Sequence, residues 1–181
     1  LQERLGAVRD AFRGLEGDRQ QGLRWVAPQN LHVTLKFLGE VGDAGARRVG
    51  AALDSCRASV ACFPCRVAGL GAFPSASSVR VLWAGIDVGR EEMGLLARAI
   101  ENALSALGFE REHRGFMAHI TLARARDRAI AAPLESFGSG PSARVFGEFQ
   151  VKGFSLMKSD LRPQGPVYSE VATYPLSPAQ K

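Results

Sequence analysis

A chain of 181 residues can bury a hydrophobic core without disulfide or metal staples, and 46% hydrophobic with 23% charged residues is a globular composition that excludes disordered and fibrous classes. No apolar run approaches a membrane span, and the opening Leu1-Gln2-Glu3-Arg4 lacks the basic segment and apolar run of a signal peptide. The net charge of +5 is compatible with a phosphate-rich partner, and Arg residues spread along the chain suit a groove better than a basic tail.

Leu1, Leu5, Val8, Phe12 and Leu15 recur at helical spacing and predict an amphipathic helix over residues 1–15, stopped by Gly17. Residues 23–26 read as a short strand ended by Pro28, and residues 30–38 as an alternating strand closed by Gly39. Asp43 is the expected cap of a second helix with the stripe Val49, Leu53, Cys56 and Val60. Residues 62–70 and 79–87 are expected strands on either side of a loop at 71–75. A third helix carries Met93, Leu96, Ile100, Leu104 and Leu107, with Gly108 at its C-terminal end. Residues 118–124 form a further strand. The stretch 131–142 reads as a surface loop, and 144–157 with 167–174 as a closing antiparallel pair. Residues 177–181 are expected to fray.

The order of elements is α+β rather than a βαβ alternation. No Gly-rich phosphate loop of known spacing is present, which argues against nucleoside-triphosphate and dinucleotide folds. Cys56, Cys62 and Cys65 are an odd set, which argues against a disulfide framework and for a reducing, cytoplasmic setting. Cys62 and Cys65 have no second pair to complete a zinc site and read as strand entry.

One internal echo stands out. His32-Val33-Thr34-Leu35 recurs as His119-Ile120-Thr121-Leu122. Side chains alternate along a strand, so each copy offers an imidazole and a hydroxyl on one face and two apolar residues on the other. A single H-x-T-L would most often be structural, since Thr is a good strand former. Two copies in a chain with three His change the balance, because the third, His113, sits in the charged stretch 110–114.

Two imidazoles could also hold zinc, but a catalytic zinc site usually adds a third protein ligand, and neither motif supplies Glu, Asp or Cys beside its His. Acid–base chemistry fits better. With an unperturbed pKa of about 6.5, one neutral His can take a proton from water while a protonated His gives one to a departing oxygen. Thr34 and Thr121 can donate hydrogen bonds to phosphoryl oxygens, and Arg124 could add a bidentate contact. Strict alternation puts Arg124 on the face opposite His119, so it needs a strand end or a bulge to reach the site. The corresponding residue of the first copy is Phe37, which could stack on a ligand or join the core. The residues themselves leave open which His is acid and which is base.

The two H-x-T-x motifs resemble those of the 2H phosphoesterase superfamily, and more narrowly its bacterial RNA 2′,3′-cyclic phosphodiesterases, historically called 2′-5′ RNA ligases. The resemblance is carried by residues 24–40, then 69–74, 81–85 and 118–124, and so spans most of the chain. It implies one bilobal α+β domain over 1–181, with two antiparallel sheets facing across a central cleft, helices outside, and one motif on each sheet. It implies that His32 is the proton donor to the leaving 3′ oxygen and His119 the proton acceptor that activates water. The product would be a 2′-phosphate, with no metal or other cofactor, and with weak reversible 2′-5′ ligation. The expected partner is an RNA or oligonucleotide end bearing a 2′,3′-cyclic phosphate, met by a monomer away from any membrane. Another 2H activity, on cyclic nucleotides or 2′-5′ oligoadenylate, stays open, as does a non-catalytic module that binds RNA ends or a nucleotide. Two departures are visible. Ala118 stands where the family usually has Pro, a change that an extended backbone tolerates. The family also begins with a strand ahead of its first helix, and the expectation is that this strand precedes Leu1.

Overall fold

A computed structural model describes residues 1–16, 22–126, 134, 144–162 and 165–179 of the chain. Among the described residues, three α-helices and seven strands follow in the order α1 (Gln2–Glu16), β1 (Leu23–Trp25), α2 (Asp43–Ser55), β2 (Phe63–Ser75), β3 (Ser78–Val88), α3 (Arg90–Ser105), β4 (His119–Ala125), β5 (Val145–Val151), β6 (Gly153–Arg162) and β7 (Gly165–Pro175). The strands form a five-stranded sheet in the order β1-β4-β3-β2-β5 and a two-stranded sheet, β6-β7. The pairings of β1 with β4, β2 with β3, β3 with β4 and β6 with β7 are all antiparallel. The α+β class and the two antiparallel sheets agree with the sequence. Among the described residues, no helix is long and apolar enough to cross a membrane.

The chain divides into two compact units. The first comprises Leu1–Thr34, Cys65–Gly89 and Ala118–Phe149. Its sheet buries Leu23, Leu82, Ala84, Ile86, Ile120, Leu122 and Ala123. Leu5 and Val8 of α1 are buried as well, and Leu5, Trp25, Val26, Leu31 and Leu122 line a small hollow beneath the helix. Each such aliphatic side chain contributes roughly 1.5–3 kcal/mol by leaving water. The second unit comprises Leu35–Pro64, Arg90–Met117 and Gln150–Lys181. There α2 and α3 bury the stripes Val49, Leu53 and Met93, Leu96, Ile100, Leu104. Arg57, in the short 3-10 turn that follows α2, donates to the carbonyl of Pro175 at 2.9 Å, joining that turn to β7.

Several sequence expectations are corrected. The stretch 30–38 is not a strand: a short 3-10 turn occupies Pro28–Asn30, and Val33 makes an isolated bridge to Ile120. The expected loop at 71–75 is instead the end of β2, because Gly71 leaves room for a neighbouring ring and Pro74 falls at a register shift after Phe73, where a missing N–H is tolerated. The stretch 144–157 splits into β5 and β6 around Lys152. A Cβ at Gly153 would come 2.7 Å from the carbonyl oxygen of Tyr174, so the glycine permits the close approach of β7. Gly42, not Asp43, is the N-cap of α2; Asp43 lies in the first turn, where a negative charge suits the helix dipole. Gly108 follows α3 with φ +91, as its place at the C-terminal end suggests. Ser177 is tied down, its carbonyl accepting from the backbone N–H of Cys62 at 2.8 Å. Gly17, residues 180–181 and, apart from residue 134, the stretch 131–142 lie outside the described residues.

Candidate active site

The first unit carries both H-x-T motifs, although the resemblance implied one on each sheet. Val33 pairs antiparallel with Ile120. Ile120 pairs on its other side with Ala84 of β3, so the first motif takes the edge of β4 that β1 follows further along. In an antiparallel alignment, the residue before one partner stands across from the residue after the other. His32 is thereby set across from Thr121, and Thr34 across from His119. The two motifs are related by a local two-fold through the Val33/Ile120 pair. Directly paired residues share a face and neighbours alternate, so all four polar residues belong to the face away from buried Ile120. His32 and Thr34 are exposed, and His119 and Thr121 are half-buried.

The register of β3 and β4 decides where Arg124 stands. Gly85 pairs with His119, Trp83 with Thr121, Leu82 with Ala123 and Val81 with Arg124. Leu122 is thus an extra residue in β4, a β-bulge, and it reverses the parity of everything after it. Arg124 consequently shares a face with Thr121 and His119, the side that strict alternation denied it. Arg24 of β1 pairs directly with Arg124 and lies on that face too. Phe37, the residue matching Arg124 in the first copy, belongs to the second unit and is 81% exposed, which excludes a core role.

Local contacts orient both imidazoles. The Nδ1–H of His32 donates to the carbonyl of Asn30 at 2.6 Å. A carbonyl can only accept, so Nδ1 carries the hydrogen of this bond. His119 lies against two aromatic rings. Phe73 meets it edge-on at 5.3 Å between centroids, and Trp83 is tilted against it at 6.0 Å. Trp83 itself lies over Gly71, where any Cβ would overlap the indole. Its Nε1 is buried with no hydrogen-bond partner among the described residues. An orphaned donor of this kind costs about 1–3 kcal/mol, and native proteins tolerate few of them. Asn30, Phe73 and Trp83 were not singled out from the sequence. Their role depends on which residues the fold brings beside each His, and Gly71 was the one local hint of a close approach.

The Arg66–Asp87 pair and the Cys65 thiol are committed to structure. Arg66 grips Asp87 at 2.8 Å, and its hydrogen bond outweighs burial to hold that carboxyl below the usual range. Burial and nearby Asp87 push the Cys65 thiol up to about 11, which makes it unreactive as a nucleophile. His113 is exposed beside Glu110. Among the described residues, no three His, Cys, Asp or Glu side chains gather as a metal-binding group.

The profile of the LigT-like phosphoesterases matches residues 2–83 and 86–168. The chain belongs to this family. It is 35% identical to the RNA 2′,3′-cyclic phosphodiesterase of Archaeoglobus fulgidus, over 84% of each protein. The protein of the same name from Aeropyrum pernix is 34% identical over 81% of this chain and 82% of its own. Among solved structures, TT0787 of Thermus thermophilus superposes with a TM-score of 0.77 at 29% identity, covering 99% of this chain and 95% of the other. Escherichia coli LigT shares the fold, with a TM-score of 0.71 at 24% identity over 97% of this chain and 90% of its own.

Proposed function

We propose that this chain, one phosphoesterase domain of two units, hydrolyses RNA 2′,3′-cyclic phosphate ends to 2′-phosphates. His32 is the general acid and His119 the general base. The antiparallel alignment of the two motifs on one face of β4 supports this reading most directly, because it offers two imidazoles and two hydroxyls to a single phosphate.

His119 takes a proton from water as the water oxygen bonds to phosphorus. The bond from phosphorus to the 3′ oxygen breaks, and Nε2 of protonated His32 delivers the proton that oxygen needs. The 2′ ester survives, and solvent returns both histidines to their starting states. Thr34 and Thr121 donate to the non-bridging oxygens as charge builds there. Arg124 adds a cationic donor from the same face. No metal or cofactor enters the scheme. A 5′-hydroxyl in place of water forms a 2′-5′ phosphodiester, which accounts for weak ligation by the same groups. The protein works as a cytoplasmic monomer, a setting that suits its free cysteines.

The test is incubation with an oligonucleotide ending in a 2′,3′-cyclic phosphate, followed by identification of the product. A 2′-phosphate with a free 3′-hydroxyl is expected. A 3′-phosphate would reverse the assignment of the leaving oxygen, and an unchanged end would remove the activity.

A further inference from the structure

We propose that Arg24 and Arg124 form a subsite for a second phosphate, the phosphodiester on the 5′ side of the terminal nucleoside. The proposal rests on the reading above and extends it from the reacting end to the RNA chain behind it.

Arg24 and Arg124 are direct partners across β1 and β4. Side chains so paired have Cβ atoms about 4.5–5.5 Å apart, and like charges directly opposite destabilise a sheet. Neither guanidinium makes an ion pair or side-chain hydrogen bond among the described residues, and both residues are exposed. Two unneutralised cations held side by side make a preformed site for one anion that can accept from both. The planar fork of Arg suits phosphate oxygens in particular.

The subsite is also placed along a path. The bulge at Leu122 puts Arg124 on the face of His119 and Thr121, and Arg24 follows it there through pairing. Val81, opposite Arg124, lies four residues along β3 from Gly85, opposite His119. At a rise of about 3.3 Å per residue, that separation is on the order of 13 Å. The long side chain of Arg124 can turn toward either phosphate. Arg24 stands one strand further out, by about 4.8 Å, and serves the second phosphate alone. A nucleic-acid strand with its terminal phosphate between the histidines meets this pair next. A free mononucleotide has nothing to offer it.

The experiment compares adenosine 2′,3′-cyclic phosphate with its 5′-methylphosphate ester, which differs by the one phosphodiester. The unmodified protein is expected to prefer the ester through a lower KM. Arg24→Met should raise KM for the ester about tenfold more than for the parent compound, the loss of one charge-assisted contact. Arg24→Lys, which keeps the charge without the fork, should fall between. Binding of a short oligonucleotide ending in 2′-phosphate gives a second readout. Its slope of log affinity against log salt should become shallower by about 0.7 in Arg24→Met, as expected for one phosphate contact on a single strand. No preference in the unmodified protein, or a preference and salt slope unchanged by Arg24→Met, overturns the subsite. Failure to hydrolyse either compound would strike the catalytic reading instead, while the salt slope would still decide the subsite.

Discussion

Trp83 lies across the backbone of Gly71 so closely that a methyl group at that glycine would overlap its ring. The same indole lies beside His119, with Phe73 completing the wall. Gly71→Ala must therefore displace Trp83 or bend β2. Overpacking of this kind costs about 1–3 kcal/mol, and it moves a surface against which His119 rests. The expected result is a lower denaturation midpoint together with reduced kcat. A variant matching its parent in both would show that the ring does not position His119.

His32→Ala and His119→Ala are each expected to lower cyclic-phosphate hydrolysis by about 10²–10⁴-fold, the usual contribution of one positioned acid or base. Neither side chain belongs to the core, so circular dichroism should be unchanged. Thr34→Ala and Thr121→Ala should be milder, since each removes one hydrogen bond. With one His required neutral and the other protonated, kcat/KM should be bell-shaped against pH. Near-parental turnover in either His variant, or a flat profile from about pH 5 to 9, would end the paired mechanism.

Hydrolysis is expected to continue in excess EDTA. Neither H-x-T motif carries a third ligand of the kind a catalytic metal needs. Steady-state rates before and after chelation decide the point. Loss of activity restored by zinc or manganese would transfer the chemistry to a metal.

Legibility in the sequence followed the range of the interactions involved. The pairing of His with Thr in each motif was readable because alternation is a local property of extended chain. The face of Arg124 was not, because a bulge is defined by the partner strand: Leu122 is extra relative to β3, and nothing inside His119–Arg124 announces it. Residues 30–38 alternate like a strand, yet the chain leaves the first unit after Thr34. Beyond that point Lys36 is committed to an ion pair in the second unit, and Phe37 turns outward. Gly71 and Pro74 read as loop residues on propensity. They proved to be strand residues, one because a ring needs its empty face and the other because it falls at a register shift. The helical stripes were read correctly at Val49 and Leu53 of α2 and at Met93, Leu96, Ile100 and Leu104 of α3, because a 3.6-residue period is likewise local, whereas Cys56, Val60 and Leu107 fall past the helix ends.

The ion pair that follows the first motif yields a prediction about acid stability. Lys36 donates to Glu101 at 2.7 Å and to the carbonyl of Glu110 at 2.6 Å. The same Glu101 oxygen accepts from the backbone N–H of Glu112 at 3.0 Å. The side chains of Lys36 and Glu101 are 9% and 20% exposed, so water screens the pair weakly. Burial pushes the Glu101 carboxyl upward. The hydrogen bonds from Lys36 and Glu112, with the charges of Lys36 and Arg111, outweigh it and hold the group below the usual range. A carboxyl depressed by folding binds fewer protons in the native than in the unfolded state between the two pKa values. Its contribution is then fully present above the unfolded value, about 4.3, and is lost as pH falls through the lower folded value. Glu101→Gln keeps the shape and removes the charge. It should destabilise the protein at pH 7 by about 1–3 kcal/mol, and the deficit should shrink as the parent is itself protonated at acid pH. Lys36→Met leaves a part-buried carboxylate without its cation and should likewise destabilise the protein at pH 7, by about 1–3 kcal/mol. Urea midpoints of the three proteins at pH 7 and pH 3 check both statements. A Glu101→Gln deficit equal at the two pH values would mean that the carboxylate charge contributes nothing to holding this segment on α3.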